Sequence, residues 1–526
     1  MTIFTPSTPT TPTTPTTPTT PSATTPSPAA AEANDKSPGK ATPKDALVGT
    51  QHSVVIDGKR IDYTVTCGTL VLREESEKDG QAEGEKARAT LFFIAYTRLN
   101  ISEGAEGGPG GLDKSTRPIT FSFNGGPGSS SVWLHLGVLG PKRVDMGDVG
   151  ALKPPPYSLV NNVYSLLDAT DLVFIDPVGT GYSRAVEGEK AKPFLNFKKD
   201  IESVGDFIRL YTTRYGRWLS PKYLIGESYG TTRAAGLSGY LQERHGLFLN
   251  GIMLVSSVLD WHTLDLTPAN DLPCALYLPS MTATAWYHKK LAPEFQAGSL
   301  HAALQASEAF ASGDYTLALM KGAALPAAER ETISHKLAAL TGLSSDFIGR
   351  CNLRVSEARF FKELLRDQRK TVGRLDARFT GSDRDSGGES IEFDPSFSAI
   401  AGPYTAVFND YVRRELKFES DLPYEIISDK VNQQWTFDHD NRSVSVSDTL
   451  RSAIANNPHL RVFVASGYYD LATPYFATRY TFNHLQLPPE LSANISMADY
   501  EAGHMMYVHE PSLRQLKADL AKFVSP

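Results

Sequence analysis

The chain has 526 residues, 41% hydrophobic and 21% charged, an ordinary globular composition with room for one large domain with insertions or for several small ones. A formal charge of −7 gives no basic footprint for nucleic acid, and no apolar run is long enough to span a membrane. The three cysteines, Cys67, Cys274 and Cys351, are too widely spaced for a C-x-x-C metal or redox pair and allow at most one disulfide, so buried free thiols are expected.

The first 47 residues read as a tail. From Thr5 to Pro28 the chain repeats Thr-Thr-Pro, then turns Ala/Lys/Pro-rich to about Lys44. Proline removes donors and little here can be buried, so a disordered, partly polyproline-II segment is expected. As written it lacks a charged stretch followed by an apolar one. The expectation is therefore a cytoplasmic protein, or an exported one whose true N-terminus differs.

Residues His52 to Leu72 alternate, and Val54 to Tyr63 reads as a hairpin turned by Asp57-Gly58. Ala89 to Tyr96 is a further strand, followed by a glycine-rich loop from Gly104 to Gly111. Short apolar runs then recur at Ile119–Phe123, Asp171–Ile175, Tyr223–Ile225 and Gly251–Val255, with a helical pattern from Phe194 to Tyr215. Apolar strands alternating with helices predict a mainly parallel sheet covered on both faces. After about Asp260 the pattern becomes helical up to about Trp435, with a polar loop from Thr380 to Ser390. Arg461–Ala465 and Asn494–Ala498 restore strands, and Pro511–Val524 closes the chain as a helix. The expected organisation is an α/β core over 48–260 and 436–526, interrupted by a helical cap insertion over 261–435.

Gly226-x-Ser228-x-Gly230 sits between a short apolar run and a helical one. In that context the motif reads as a nucleophile elbow, a strained turn that lifts the serine hydroxyl above the sheet. A serine nucleophile needs a base and the base an orienting acid, and in α/β hydrolases these follow in the order acid, histidine. Asp470, after a predicted strand, and His504, in Tyr500-Glu-Ala-Gly-His504, fit that order. Taken singly, each is as readily a turn or surface residue. His509 is a competing base that resembles a helix-start residue, and Asp176 a competing acid placed before Pro177. The glycine cluster Asn124-Gly-Gly-Pro-Gly-Ser-Ser130 follows another strand, where its backbone N–H groups, with that of Tyr229, could meet an oxyanion. It lacks the Lys-Ser/Thr ending of a phosphate loop.

Assembled, these motifs resemble the serine carboxypeptidases of peptidase family S10, with further matches at Asp176-Pro-Val-Gly-Thr-Gly-Tyr-Ser183, Ser466-Gly-Tyr-Tyr-Asp470 and Gly503-His504. The resemblance implies an α/β-hydrolase fold and removal of C-terminal residues from peptides. It implies Ser228 as nucleophile, His504 as base and acid, Asp470 as orienter, and Gly126 and Tyr229 as oxyanion donors. Asn124, Gly125 and Glu227 would hold the substrate's terminal carboxylate. Glu227 beside a carboxylate must share a proton with it, so binding should weaken as pH rises. No metal or cofactor is implied; the partners are peptides with a free C-terminus, and a homodimer stays open. Three positions depart from the family: Ser122 stands for a tryptophan, Ser129 for a cysteine, and Val138 for a second carboxylate-binding glutamate. An acyltransferase or esterase on the same residues, and a non-catalytic binding protein on a hydrolase scaffold, remain as alternatives.

Overall fold

The computed structural model describes residues 43–99, 115–147, 149–150, 153–268, 270–437 and 443–525. The Thr/Pro-rich tail up to residue 42 and the glycine-rich loop after residue 103 lie outside them.

Two Asp-Gly turns start the sheet. β1 (Ala46–Ile56) meets β2 (Lys59–Lys78) through Asp57 and Gly58, both at positive φ, as a tight hairpin requires. β2 meets β3 (Gln81–Arg98) through Asp79 and Gly80 in the same way. The short strands follow: β4 (Ile119–Phe123), β5 (Asp171–Ile175), β6 (Arg184–Ala185), β7 (Lys222–Ser228), β8 (Gly251–Ser257), β9 (Arg461–Gly467) and β10 (Ile495–Tyr500). They join the hairpins in a 10-stranded sheet of order β1-β2-β3-β5-β4-β7-β8-β9-β10, with β6 paired to β3. Pairing is antiparallel from β1 through β5 and parallel at every step from β5 to β10.

Strand alternation divides the core between the two faces. Phe92, Ile94 and Tyr96 turn to one face, while Leu91, Phe93 and Ala95 turn to the other. The second face is covered by α1 (Phe197–Arg214), through Val204 and Phe207, and by α2 (Tyr229–His245), through Leu237 and Leu241. α1 begins at Asn196, whose side chain accepts the Lys199 amide at 2.8 Å. Between β8 and β9 the chain runs through a series of helices, from Trp261–Thr263 to Asp429–Gln434. α3 (Leu272–Tyr287) and the helices after it gather a core of their own around Leu278, Met281, Leu337 and Phe360. α4 (Pro395–Arg414) instead lays Tyr404, Val407 and Phe408 into the first face of the main sheet, so this part of the insertion belongs to the main core. α5 (Ser447–Asn456) closes the second face and α6 (Glu510–Val524) the first.

The topology fixes where chemistry can gather. From β4 the chain steps to β5 on one side and β7 lies on the other, so the connections diverge between β4 and β7. Open α/β sheets bind ligands at such a point, outside the carboxyl ends of the strands. Ser228 ends a parallel strand, and Asn124, Asp470 and His504 follow the carboxyl ends of others along the same edge of the sheet. Among the described residues no helix is long and apolar enough to cross a membrane, and all three cysteines are free and buried.

Candidate active site

The elbow is built from close approaches. β7 passes into α2 at Ser228, whose backbone sits at φ 60°, ψ −132°. That region is nearly closed to residues with a Cβ, and holding a residue there costs about 1–3 kcal/mol. A Cβ on Gly226 would lie 2.1 Å from the Gly230 carbonyl oxygen, so a glycine is obligatory there. Ser228 stays partly exposed while Glu227 and Tyr229 on either side are buried.

The loop after β4 lies against the start of α2. A Cβ on Gly125 would come within 2.5 Å of the Tyr229 amide nitrogen, which sets the Asn124-Gly125-Gly126 backbone directly over the elbow. Asn124 is held in one orientation: its Oδ1 accepts the Leu134 amide at 3.1 Å and its Nδ2 donates to Glu227 Oε1 at 2.9 Å. Arg233 from α2 fastens this loop from beneath, donating to the Asn124 carbonyl at 2.6 Å and to Asp200 at 2.8 Å. The Tyr229 hydroxyl reaches the same Asp200 carboxylate at 2.9 Å.

His504 and Asp470 face each other on the loops after β10 and β9. Nδ1 of His504 lies 2.7 Å from Asp470 Oδ2. Asp470 is fully buried and accepts the Ala472 and Thr473 amides at 2.7 and 3.0 Å and the Thr473 hydroxyl at 2.8 Å. The backbone of His504 is pinned at both ends, its amide by the Leu375 carbonyl and its carbonyl by the Ser256 hydroxyl, each at 2.6 Å. Burial alone would lower the His504 pKa, yet the charge and hydrogen bond of Asp470, with Glu227 behind them, hold it above the usual histidine value. Arg374 works in the opposite direction.

Glu227 is the most perturbed acid of the group. Burial raises its pKa to about 7, against the opposing charge of His504 and the neighbouring Tyr507 hydroxyl. Glu227 and His504 thus each feel the other's charge. Oε2 of Glu227 and the Tyr507 hydroxyl are both buried, and neither reaches a partner at hydrogen-bond geometry. Tyr404 also senses the Glu227 charge.

The competing residues lie elsewhere. Asp176 Oδ1 accepts the Ser131 amide at 2.8 Å and so anchors the loop after β4; burial raises its pKa to about 7. His509 precedes α6, with its Nδ1 2.8 Å from the Ser512 hydroxyl. At the departures from the family pattern, Ser129 accepts the Trp133 indole N–H at 2.7 Å. Ser122 is buried in β4 with its hydroxyl unpartnered. Val138 lies in a π-helical turn, His135–Leu139, and its carbonyl accepts Asn162 Nδ2 at 2.7 Å. Next to it, Gly137 lies so close to the Tyr507 ring that an added Cβ would come within 2.3 Å of it.

Sequence reasoning missed several contributors. Tyr404 and Tyr507, which sense the Glu227 charge, were not singled out from the sequence. The insertion does more than lie over the strands. Arg374 accepts the Leu471 amide at 3.1 Å, Leu375 accepts that of His504, and the Ala377 amide donates to the Tyr469 carbonyl at 3.0 Å. One short segment therefore braces both the Asp470 and the His504 loops. Among the described residues no group of three or more His, Cys, Asp or Glu side chains is set to hold a metal ion.

Comparison with known proteins adds the following. The serine carboxypeptidase family model matches residues 83–305. Serine carboxypeptidase-like 33 of Arabidopsis thaliana is 29% identical over 168 residues, 30% of this chain and 29% of that protein. The pheromone-processing carboxypeptidase KEX1 of Saccharomyces cerevisiae is 31% identical over 169 residues, 31% of this chain and 20% of its own length. The matched stretch thus spans less than a third of either relative. The solved structure of the yeast KEX1 prohormone-processing carboxypeptidase superposes with a TM-score of 0.53 at 18% identity, covering 87% of this chain and 91% of that one. The fold is that of the α/β hydrolases.

Proposed function

We propose that this chain, which these comparisons support as a member of the serine carboxypeptidase family S10, is a serine-type carboxypeptidase that hydrolyses the last peptide bond of peptides. Ser228 attacks the carbonyl of that bond while His504 takes its proton and then delivers it to the departing amino acid. Asp470 keeps the His504 Nδ1 proton directed at itself, so that Nε2 is free to act as the base. The N–H groups of Gly126 and Tyr229 receive the negative charge on the carbonyl oxygen, helped by the start of α2. Water then clears the acyl-enzyme by the reverse proton path.

Asn124, the Gly125 N–H and Glu227 take the substrate's terminal carboxylate. Two carboxylates in one buried place cannot both be charged without large cost, so Glu227 enters protonated and shares its proton. The observation that carries this reading is the hydrogen-bonded Asn124–Glu227 pair, buried beside the elbow, where burial raises the Glu227 pKa to about 7. It separates recognition of a chain terminus from general ester chemistry. A fluorophosphonate probe should label Ser228, with labelling abolished in Ser228→Ala. A free-acid peptide competitor should slow labelling at pH 5.5 and fail to do so at pH 8.5. Equal protection at both pH values, or by the C-terminal amide, removes Glu227 from the reading; absence of labelling favours a binding role on this scaffold.

A further inference from the structure

Tyr404 and Tyr507 help to line a cavity of about 300 Å³. Gly137, Arg143, Tyr404, Tyr507, Val508 and His509 are among its walls. Both tyrosines also respond to the Glu227 charge, so this wall of the cavity is shared with the surroundings of the Asn124–Glu227 pair. A peptide whose terminal carboxylate rests on that pair has one group left to place there, the side chain of the residue that leaves.

Arg143 distinguishes this cavity. Its Nε is buried and has no hydrogen-bond partner, and among the described residues its guanidinium makes no hydrogen bond or ion pair, its charge acting only through space on Asp145 and Tyr404. Among the described residues the other ionisable side chains of the wall have partners of their own or are shifted by burial. Asp145 is bound by Lys153, Glu510 accepts the Tyr164 hydroxyl at 2.7 Å, and burial lowers the pKa of His509. A guanidinium presents a planar fork that matches a carboxylate in two parallel hydrogen bonds, and a buried donor left unpaired is costly. Resting on the carboxypeptidase reading above, we propose that this cavity is the pocket for the leaving residue and that Arg143 selects an acidic one, so that the preferred substrates are peptides ending in glutamate or aspartate.

The test uses the full chain and three blocked dipeptides alike except for a last residue of Glu, Gln or Leu. Glu and Gln differ by charge at nearly equal size, so their ratio of kcat/KM reads Arg143 directly. The expected ratio is about tenfold or more in favour of Glu, falling to about one in Arg143→Met. Arg143→Glu should turn the preference toward a dipeptide ending in Lys, a reversal that simple damage to the fold would not produce. A wild-type ratio near one overturns the assignment, even if Arg143→Met proves too unstable to assay. An equal loss for Glu, Gln and Leu endings in Arg143→Met also overturns it, because Arg143 would then be holding the terminal carboxylate. If none of the peptides releases an amino acid, the carboxypeptidase reading itself fails; release of Gln and Leu without preference for Glu sinks only the role of Arg143.

Discussion

Replacing Glu227 with glutamine removes one titrating proton and little else. Gln Oε1 can still accept the 2.9 Å bond from Asn124 Nδ2. In the wild-type protein burial lifts the carboxyl from its ordinary 4.5 to about 7. A lift of that size corresponds to about 3 kcal/mol, at about 1.4 kcal/mol for each tenfold change in proton affinity. The sign follows from linkage: the folded state binds this proton more tightly than the unfolded one. The stabilisation is present in full below about pH 4.5 and is lost as pH rises through about 7. Glu227→Gln escapes that loss. Urea unfolding of both proteins at pH 4.5, 6 and 8.5 should therefore show the variant gaining on the wild type as pH rises, by up to about 3 kcal/mol at the alkaline end. Catalysis gives a second reading. If only protonated Glu227 accepts a terminal carboxylate, the wild-type KM for a free-acid peptide should rise about tenfold per pH unit above about 7, while the KM of the variant stays flat. A stability difference independent of pH, or one that narrows as pH rises, refutes the buried-proton argument. A wild-type KM that is flat across pH 6 to 9 refutes its role in binding.

Three other perturbations probe the elbow and the pair behind it. Asp470→Asn would turn an amide N–H toward His504 Nδ1 and favour the wrong tautomer, so kcat should fall about 10³–10⁴-fold with KM little changed, as steady-state kinetics would show; a loss below tenfold would mean that Asp470 is dispensable. Ser228→Gly should abolish activity yet raise stability by about 1 kcal/mol, by releasing the φ 60° strain, and an unfolding curve at or below the wild type would argue against strain at that position. Gly226→Ala places a methyl 2.1 Å from the Gly230 carbonyl oxygen and should cost at least about 3 kcal/mol or prevent folding, whereas a wild-type melting temperature would show that the turn can relax.

The elbow was legible because its signal is local. Glycine on either side of Ser228 and the change from strand to helix are all written within a few residues. The order of Asp470 and His504 along the chain was legible because both follow strand ends. Tyr404 and Tyr507 left no such trace. One arrives from the insertion and the other from beyond the last strand, and they meet at Glu227 only through tertiary packing. The bracing segment from Arg374 to Ala377 is similar, since it acts through backbone groups that any residue carries. The long arm where β2 and β3 extend past Leu72 was passed over for a different reason. Its residues are polar on both faces, so alternation fades, although Asp79-Gly80 repeats the turn signal of Asp57-Gly58. Nothing in the sequence distinguished Arg143 from other cations, because what sets it apart is a buried, unpartnered Nε in a residue that lines a cavity.

The central claim is that Ser228, His504 and Asp470 cut at a chain terminus recognised through Asn124 and Glu227. Mass spectrometry of one decapeptide, as the free acid and as the C-terminal amide, incubated with the protein at pH 5.5, tests it most directly. The account predicts a ladder of products shortened one residue at a time from the C-terminus of the free acid, at least tenfold slower cleavage of the amide, and no ladder with Ser228→Ala. Internal cleavage, equal rates on acid and amide, or a ladder that survives Ser228→Ala would contradict it.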